Sequence, residues 1–193
     1  MRFRSSSAWL LAAVACYAQN PVVVENGWVR VVRAANIPSQ LSSPHVHLVN
    51  RVMIHLDRGI LRIYNKETGV ARDIPFRAGE VRWDPRVGLH TSENTGGSAI
   101  RIVEIELNDN PPGIHPAALS APAARFRVEM ENKQVRILRT TLAAAEPLPV
   151  AALHLPAVAV RLSDGQTQWL AADAATPPNT AAQPAEWVFV ELK

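Results

Sequence analysis

The sequence is short of most features that mark a specialised class. One cysteine among 193 residues excludes a disulfide framework and a four-cysteine zinc module. Nine scattered glycines form neither a phosphate-cradling loop nor a dinucleotide fingerprint, and no G-x-S-x-G elbow accompanies a hydrolytic triad. Lys+Arg 20 against Asp+Glu 17 gives a net charge of +3 with no basic tract, which excludes nucleic acid as a partner. No apolar run reaches the roughly 20 residues that a transmembrane helix needs. Fifteen prolines, 6% aromatics and the lack of a sustained 3.6-residue period exclude a long helical bundle.

What is present is a folding chain, with 48% hydrophobic and 19% charged residues spread along its length. Arg2 and Arg4 precede the apolar run Ala8 to Ala15, and Cys16-Tyr17-Ala18 ahead of Gln19 has the small-x-small form of a cleavage site. Residues 1–18 therefore read as a secretory leader, and the protein as exported, periplasmic or extracellular. The alternative is a lipoprotein anchored through Cys16, against which Ala13 stands where leucine is usual. Removing the leader takes two arginines and no acid, which lowers the net charge from +3 to +1.

After Gln19 the pattern is one of short strands: Val22 to Val24, Trp28 to Val32, Arg51 to Leu56, Gly79 to Trp83 and Ile100 to Leu107, with Asn, Gly, Pro and Asp between them. Alternation is clearest in Val103-Glu104-Ile105-Glu106-Leu107. The same parity puts Val52, Ile54 and Leu56 on an apolar face, expected to point inward, and His55 on the surface. An all-β sandwich or small barrel is expected.

The chain also repeats. Glu25-Asn26, Val29-Arg30 and Arg33 recur 106 residues later as Glu131-Asn132, Val135-Arg136 and Arg139, and Val52, Leu56 and Gly59 recur as Val158, Leu162 and Gly165. The offset then falls to 86 for Gly79 and Trp83 against Gly165 and Trp169, and to 85 for Val103, Glu106 and Leu107 against Val188, Glu191 and Leu192. The second copy thus lacks about 20 residues, equivalent to Ile60 through Ala78. The Asn- and Pro-rich segment 110–123 reads as a linker between a barrel at 19–109 and a degenerate, shortened copy at 124–193.

Pro44-His45-Val46-His47 places two imidazoles two residues apart, hence on one face of a strand. His90 completes the resemblance. Gly79, Pro85, His90 and Asn94 match the second motif of the cupin family, G-x5-P-x-G-x2-H-x3-N, with the inner glycine at 88 rather than 87. His45, His47 and Gly59 match the first, G-x5-H-x-H-x3–4-E-x6-G, but Ser39 stands at the leading glycine and Val52 at the glutamate. The chain resembles a two-barrel cupin, and the resemblance implies a double-stranded β-helix barrel in which His45, His47 and His90 share one divalent metal. Imidazole ligands suit Fe, Zn, Ni or Cu. With the glutamate replaced, the centre is expected to be more cationic, open to an anionic ligand and poor for magnesium or calcium.

The other candidates read as structural. Glu93 has the wrong strand parity to join His90, Trp83 recurs at Trp169 and packs in a core, and His115 lies in the linker. In the second copy Ala151, Leu153 and Thr176 or Pro177 stand opposite the three histidines, His154 is one residue out of phase, and 171–185 reads as loop. The expected partner is a small molecule, with a homodimer allowed. Function divides between a metalloenzyme, such as a dioxygenase or isomerase, and a binding or sensing module without turnover.

Overall fold

The computed structural model describes residues 20–112, 121–171 and 175–193. The leader, Cys16 and His115 lie outside the described residues. Among the described residues there are fourteen strands. They begin with β1 (Val22–Glu25), β2 (Val29–Asn36), β3 (His45–His47), β4 (Arg51–His55), β5 (Gly59–Asn65), β6 (Ala71–Phe76) and β7 (Val81–Asp84). There follow β8 (Val87–Asn94), β9 (Ile100–Leu107), β10 (Arg127–Glu131), β11 (Val135–Leu142), β12 (Ala157–Arg161), β13 (Thr167–Leu170) and β14 (Ala185–Leu192).

The first nine strands make two antiparallel sheets, ordered β1-β2-β9-β4-β7 and β3-β8-β5-β6, which are the two walls of a barrel. Their turns follow from local chemistry. Asn26 accepts from the amides of Trp28 and Val29 across the β1–β2 hairpin, and Asn132 repeats the device with Gln134 and Val135 between β10 and β11. Gly79 turns into β7 at φ 74, a left-handed conformation that glycine adopts without a side-chain clash. Ser39, at the position where the motif has glycine, adopts φ 60.

The second half is a single five-stranded sheet, β10-β11-β14-β12-β13. Here the expectation of a shortened second barrel is corrected: among the described residues no second sheet closes the tube. The segment opposite β3 is a 3-10 turn, Val150–Ala152, and residues 175–180, the described part of the segment opposite β8, form no strand. Strands β11, β12, β13 and β14 begin and end 106, 106, 86 and 85 residues after β2, β4, β7 and β9, with the same registers. Val52 faces Trp83, for example, as Val158 faces Trp169.

Corresponding faces of the two five-stranded sheets pack on each other. Val29, Val31, Val52, Ile54, Val103 and Ile105 share one buried cluster with Val135, Ile137, Val158, Val160, Val188 and Val190. This corrects the direction of the apolar face of β4. Val52, Ile54 and Leu56 are buried, but against the second sheet, whereas Arg51, Met53 and His55 line the barrel cavity. The physical reason is that this sheet is covered on both sides, so its most apolar face marks the inter-sheet core and leaves the barrel interior free to be polar. His55, expected on the surface, is 4% exposed and stacks on Phe76 at 4.0 Å.

The far face of the second sheet is solid. Leu138, Leu142, Trp187 and Phe189 are fully buried there, beneath Leu148 and Val150 of the following loop. Large apolar side chains thus fill what corresponds to the barrel interior of the first half.

Candidate metal centre

Strand β3 is only three residues long, and pairing with β8 sets His45 directly opposite His90. Two-residue periodicity brings His47 to the same side. The ring centroids lie 4.3 Å apart for His45 and His90, 4.9 Å for His45 and His47, and 5.2 Å for His47 and His90. One nitrogen from each ring falls within 4.8 Å of the others.

The tautomers are fixed from behind. Nδ1 of His45 donates to the Ser43 carbonyl and Nδ1 of His90 to the Gly88 carbonyl, each at 2.8 Å, so in the neutral form of either ring the lone pair is on Nε2. Such outer hydrogen bonds are what orients metal-ligating histidines. His47 Nε2 accepts from Arg51 Nη1 at 2.6 Å, because a guanidinium can only donate. Burial, reinforced by the Arg51 charge, lowers the His47 pKa to about 3, and burial also pushes His90 down. Those two imidazoles are neutral at pH 7, the form that binds metals. The donor set therefore fits a transition-metal ion.

The histidines line a cavity of about 240 Å³. Its apolar walls include Met53, Leu61, Ile63, Ile74, Phe76 and Ile102. Beside the imidazoles lies an ionic group that motif reading missed. Arg51, with a side chain 4% exposed, pairs with Asp84 and reaches Glu104 at 3.4 Å. Its Nε has no partner among the described residues. Burial pushes the Glu104 carboxyl up, against the opposing pull of Arg51. One signal could have found Arg51: the first motif tolerates three or four residues before its acid, and the shorter count lands on Arg51, the inward position, instead of Val52.

Of the other sequence candidates, Glu93 faces away from the centre and accepts from the Tyr64 hydroxyl at 2.8 Å. Trp83 packs against the inter-sheet core. Exposed His154 uses only its backbone amide, donating to Glu191 at 2.7 Å.

The strands form a double-stranded β-helix fold of the cupin type, and that fold carries a three-histidine cluster. No family model matches the sequence, and no curated protein is significantly similar to it. Solved structures share the fold over most of the chain. YhaK from Escherichia coli is 16% identical, covers 85% of each chain and has a TM-score of 0.52. A cupin 2 conserved barrel domain protein from Leptotrichia buccalis is 8% identical over 91% of this chain and 88% of its own, at 0.51. AerE from Microcystis aeruginosa is 13% identical over 86% of this chain and 88% of its own, also at 0.51. At such identities the likeness concerns fold, and a three-histidine cluster within that fold suggests a bound transition metal.

Proposed function

We propose that this chain is an exported metalloprotein that holds one divalent transition metal on His45, His47 and His90 and binds or transforms a small molecule in the adjoining cavity. One observation carries the reading: three imidazoles converge in the lining of one cavity, with the tautomers of two set by backbone carbonyls. Three protein ligands leave a bound ion open to a further ligand, and such an ion supplies Lewis acidity or a binding position for the small molecule. The protein's own residues bind the apolar body of that molecule, exclude water from it, and offer Glu104 as a carboxyl able to hold a proton beside it. The leader-like segment supports export. The matched strand bounds and registers of the two five-stranded sheets support descent of the second half from a duplicated barrel that has lost its site.

The test is elemental analysis of the protein purified without a histidine tag, beside a His45→Ala/His47→Ala variant. The expected result is about one equivalent of iron, zinc, nickel or copper in the wild type and a trace in the variant. Equal and negligible metal in both would overturn the assignment. A purely binding role is separated from catalysis by His90→Ala: loss of metal and ligand with no turnover in either protein marks a binding module.

A further inference from the structure

We propose that the site takes its metal together with a small carboxylate, and that Arg51 couples the two. The inference rests on the metal reading above and adds the ligand class and the residue that selects it.

The first observation is where Arg51 stands. Its Nη1 sits 2.6 Å from His47 Nε2, the lone pair that an ion needs. An ion on the three histidines has to meet a guanidinium that is buried, permanently charged and held by Asp84 and Glu104. Two cations side by side in a cavity are unfavourable unless an anion accompanies them. With three imidazoles neutral, an ion of charge +2 beside Arg51 leaves the pocket positive even when both carboxylates are ionised.

The second observation is internal to the chain. By strand register, Arg51, Asp84 and Glu104 correspond to Ala157, Leu170 and Phe189 of the second sheet. The same backbone positions are filled by apolar side chains where no histidines converge. The fold therefore does not need this buried ionic group, whose maintenance is unfavourable compared with a packed apolar cluster. It occurs where the three histidines are.

The third is the unpartnered Nε of Arg51, a buried donor with nothing to accept from it. A guanidinium with free donor capacity is matched in shape and charge by a planar carboxylate. The remaining wall of the cavity is mostly apolar, interrupted by Asn36, His55, Arg82 and Ser92, and about 240 Å³ suits a short hydrocarbon body. Among anions the geometry thus favours a small aliphatic or aromatic carboxylate over an inorganic one.

Coupling of this kind is reciprocal: if the carboxylate tightens the metal, the metal tightens the carboxylate by the same factor. The experiment is calorimetric titration of the metal-stripped full chain with zinc, alone and with butyrate or with neutral, isosteric butyramide. For the wild type, butyrate tightens zinc by about tenfold or more and butyramide leaves it unchanged. Arg51→Gln binds zinc alone at least as tightly as the wild type, and butyrate shifts its affinity by less than about twofold. Arg51→Met is the second variant, and circular dichroism with thermal unfolding establishes that each is folded. Wild-type zinc affinity indifferent to butyrate, or a folded Arg51 variant that keeps the full shift, would overturn the proposal while leaving the metal assignment standing. Failure of zinc to bind the wild type and both variants would overturn the metal assignment, and the coupling with it.

Discussion

Arg136 Nε donates to Glu191 at 2.6 Å, and both side chains are sealed from water, at 2% and 0% exposure. By register the same pair occurs in the first half as Arg30 and Glu106, at 2.9 Å, with side chains 43% and 23% exposed. One interaction is thus present in two dielectric settings within one chain. Glu191→Ala takes a buried carboxylate away from both the Arg136 guanidinium and the His154 amide and is expected to cost about 3–5 kcal/mol, whereas Glu106→Ala should cost less than about 1 kcal/mol. Urea denaturation of the two variants reads the contrast, and equal losses would contradict it.

Gly165 should be intolerant of a side chain. It has φ +71, and a Cβ there would meet Leu56 Cδ1 at 2.6 Å across the contact between the halves. Gly69 has φ +70 with nothing within 4 Å. Gly69→Ala is expected to cost the conformational penalty of about 1–2 kcal/mol, and Gly165→Ala that plus an overpacking cost of about 1–3 kcal/mol. Combining Gly165→Ala with Leu56→Ala should show a coupling of at least about 0.5 kcal/mol, measured by a double-mutant cycle.

Stability should fall on acidification. Burial lowers the pKa of both His47 and His55, with His47 taken from 6.5 to about 3. The unfolded chain then binds protons that the folded chain refuses, so stability is full above about pH 6.5 and declines as pH drops toward about 3. Melting temperatures between pH 7.5 and pH 4 should decline less steeply for His47→Gln and His55→Gln than for the wild type. Saturating zinc should move the wild-type decline to lower pH, since bound metal excludes protons from the imidazoles.

Truncation after Asn110 removes the second sheet and exposes Val29, Val31, Val52, Ile54, Val103 and Ile105 together. An apolar face of that extent is expected to make the shortened chain aggregate or melt well below the full chain. Light scattering and thermal unfolding decide this. A monodisperse fragment as heat-stable as the whole would show that the second sheet is not a cover.

Much of the fold was legible in the sequence because alternation and turn chemistry act locally. The clean periods of β4 and β9 and the Asn turns at 26 and 132 are sufficient to place strands. The H-x-H pair and His90 were legible as a group because motif spacing encodes register, which sets His45 opposite His90. Direction was not legible. Parity says that Val52 and Arg51 lie on opposite faces but not which face the barrel encloses, and a sheet covered on both sides removes the usual hydrophobic cue. Arg51, Asp84 and Glu104 were therefore invisible as a group: their meeting depends on β4, β7 and β9 being neighbours, which no local pattern states.

The packing of corresponding faces has a consequence for how the chain assembles. Val29 meets the environment of Val135, and Val52 that of Val158, as two subunits of a symmetric dimer present the same patch to each other. Here the two patches belong to one polypeptide, so the association is unimolecular and the effective concentration of each half at the other is set by the connecting segment. Dilution cannot dissociate it, and this contact should be indifferent to protein concentration, unlike that of a dimer held by the same patch.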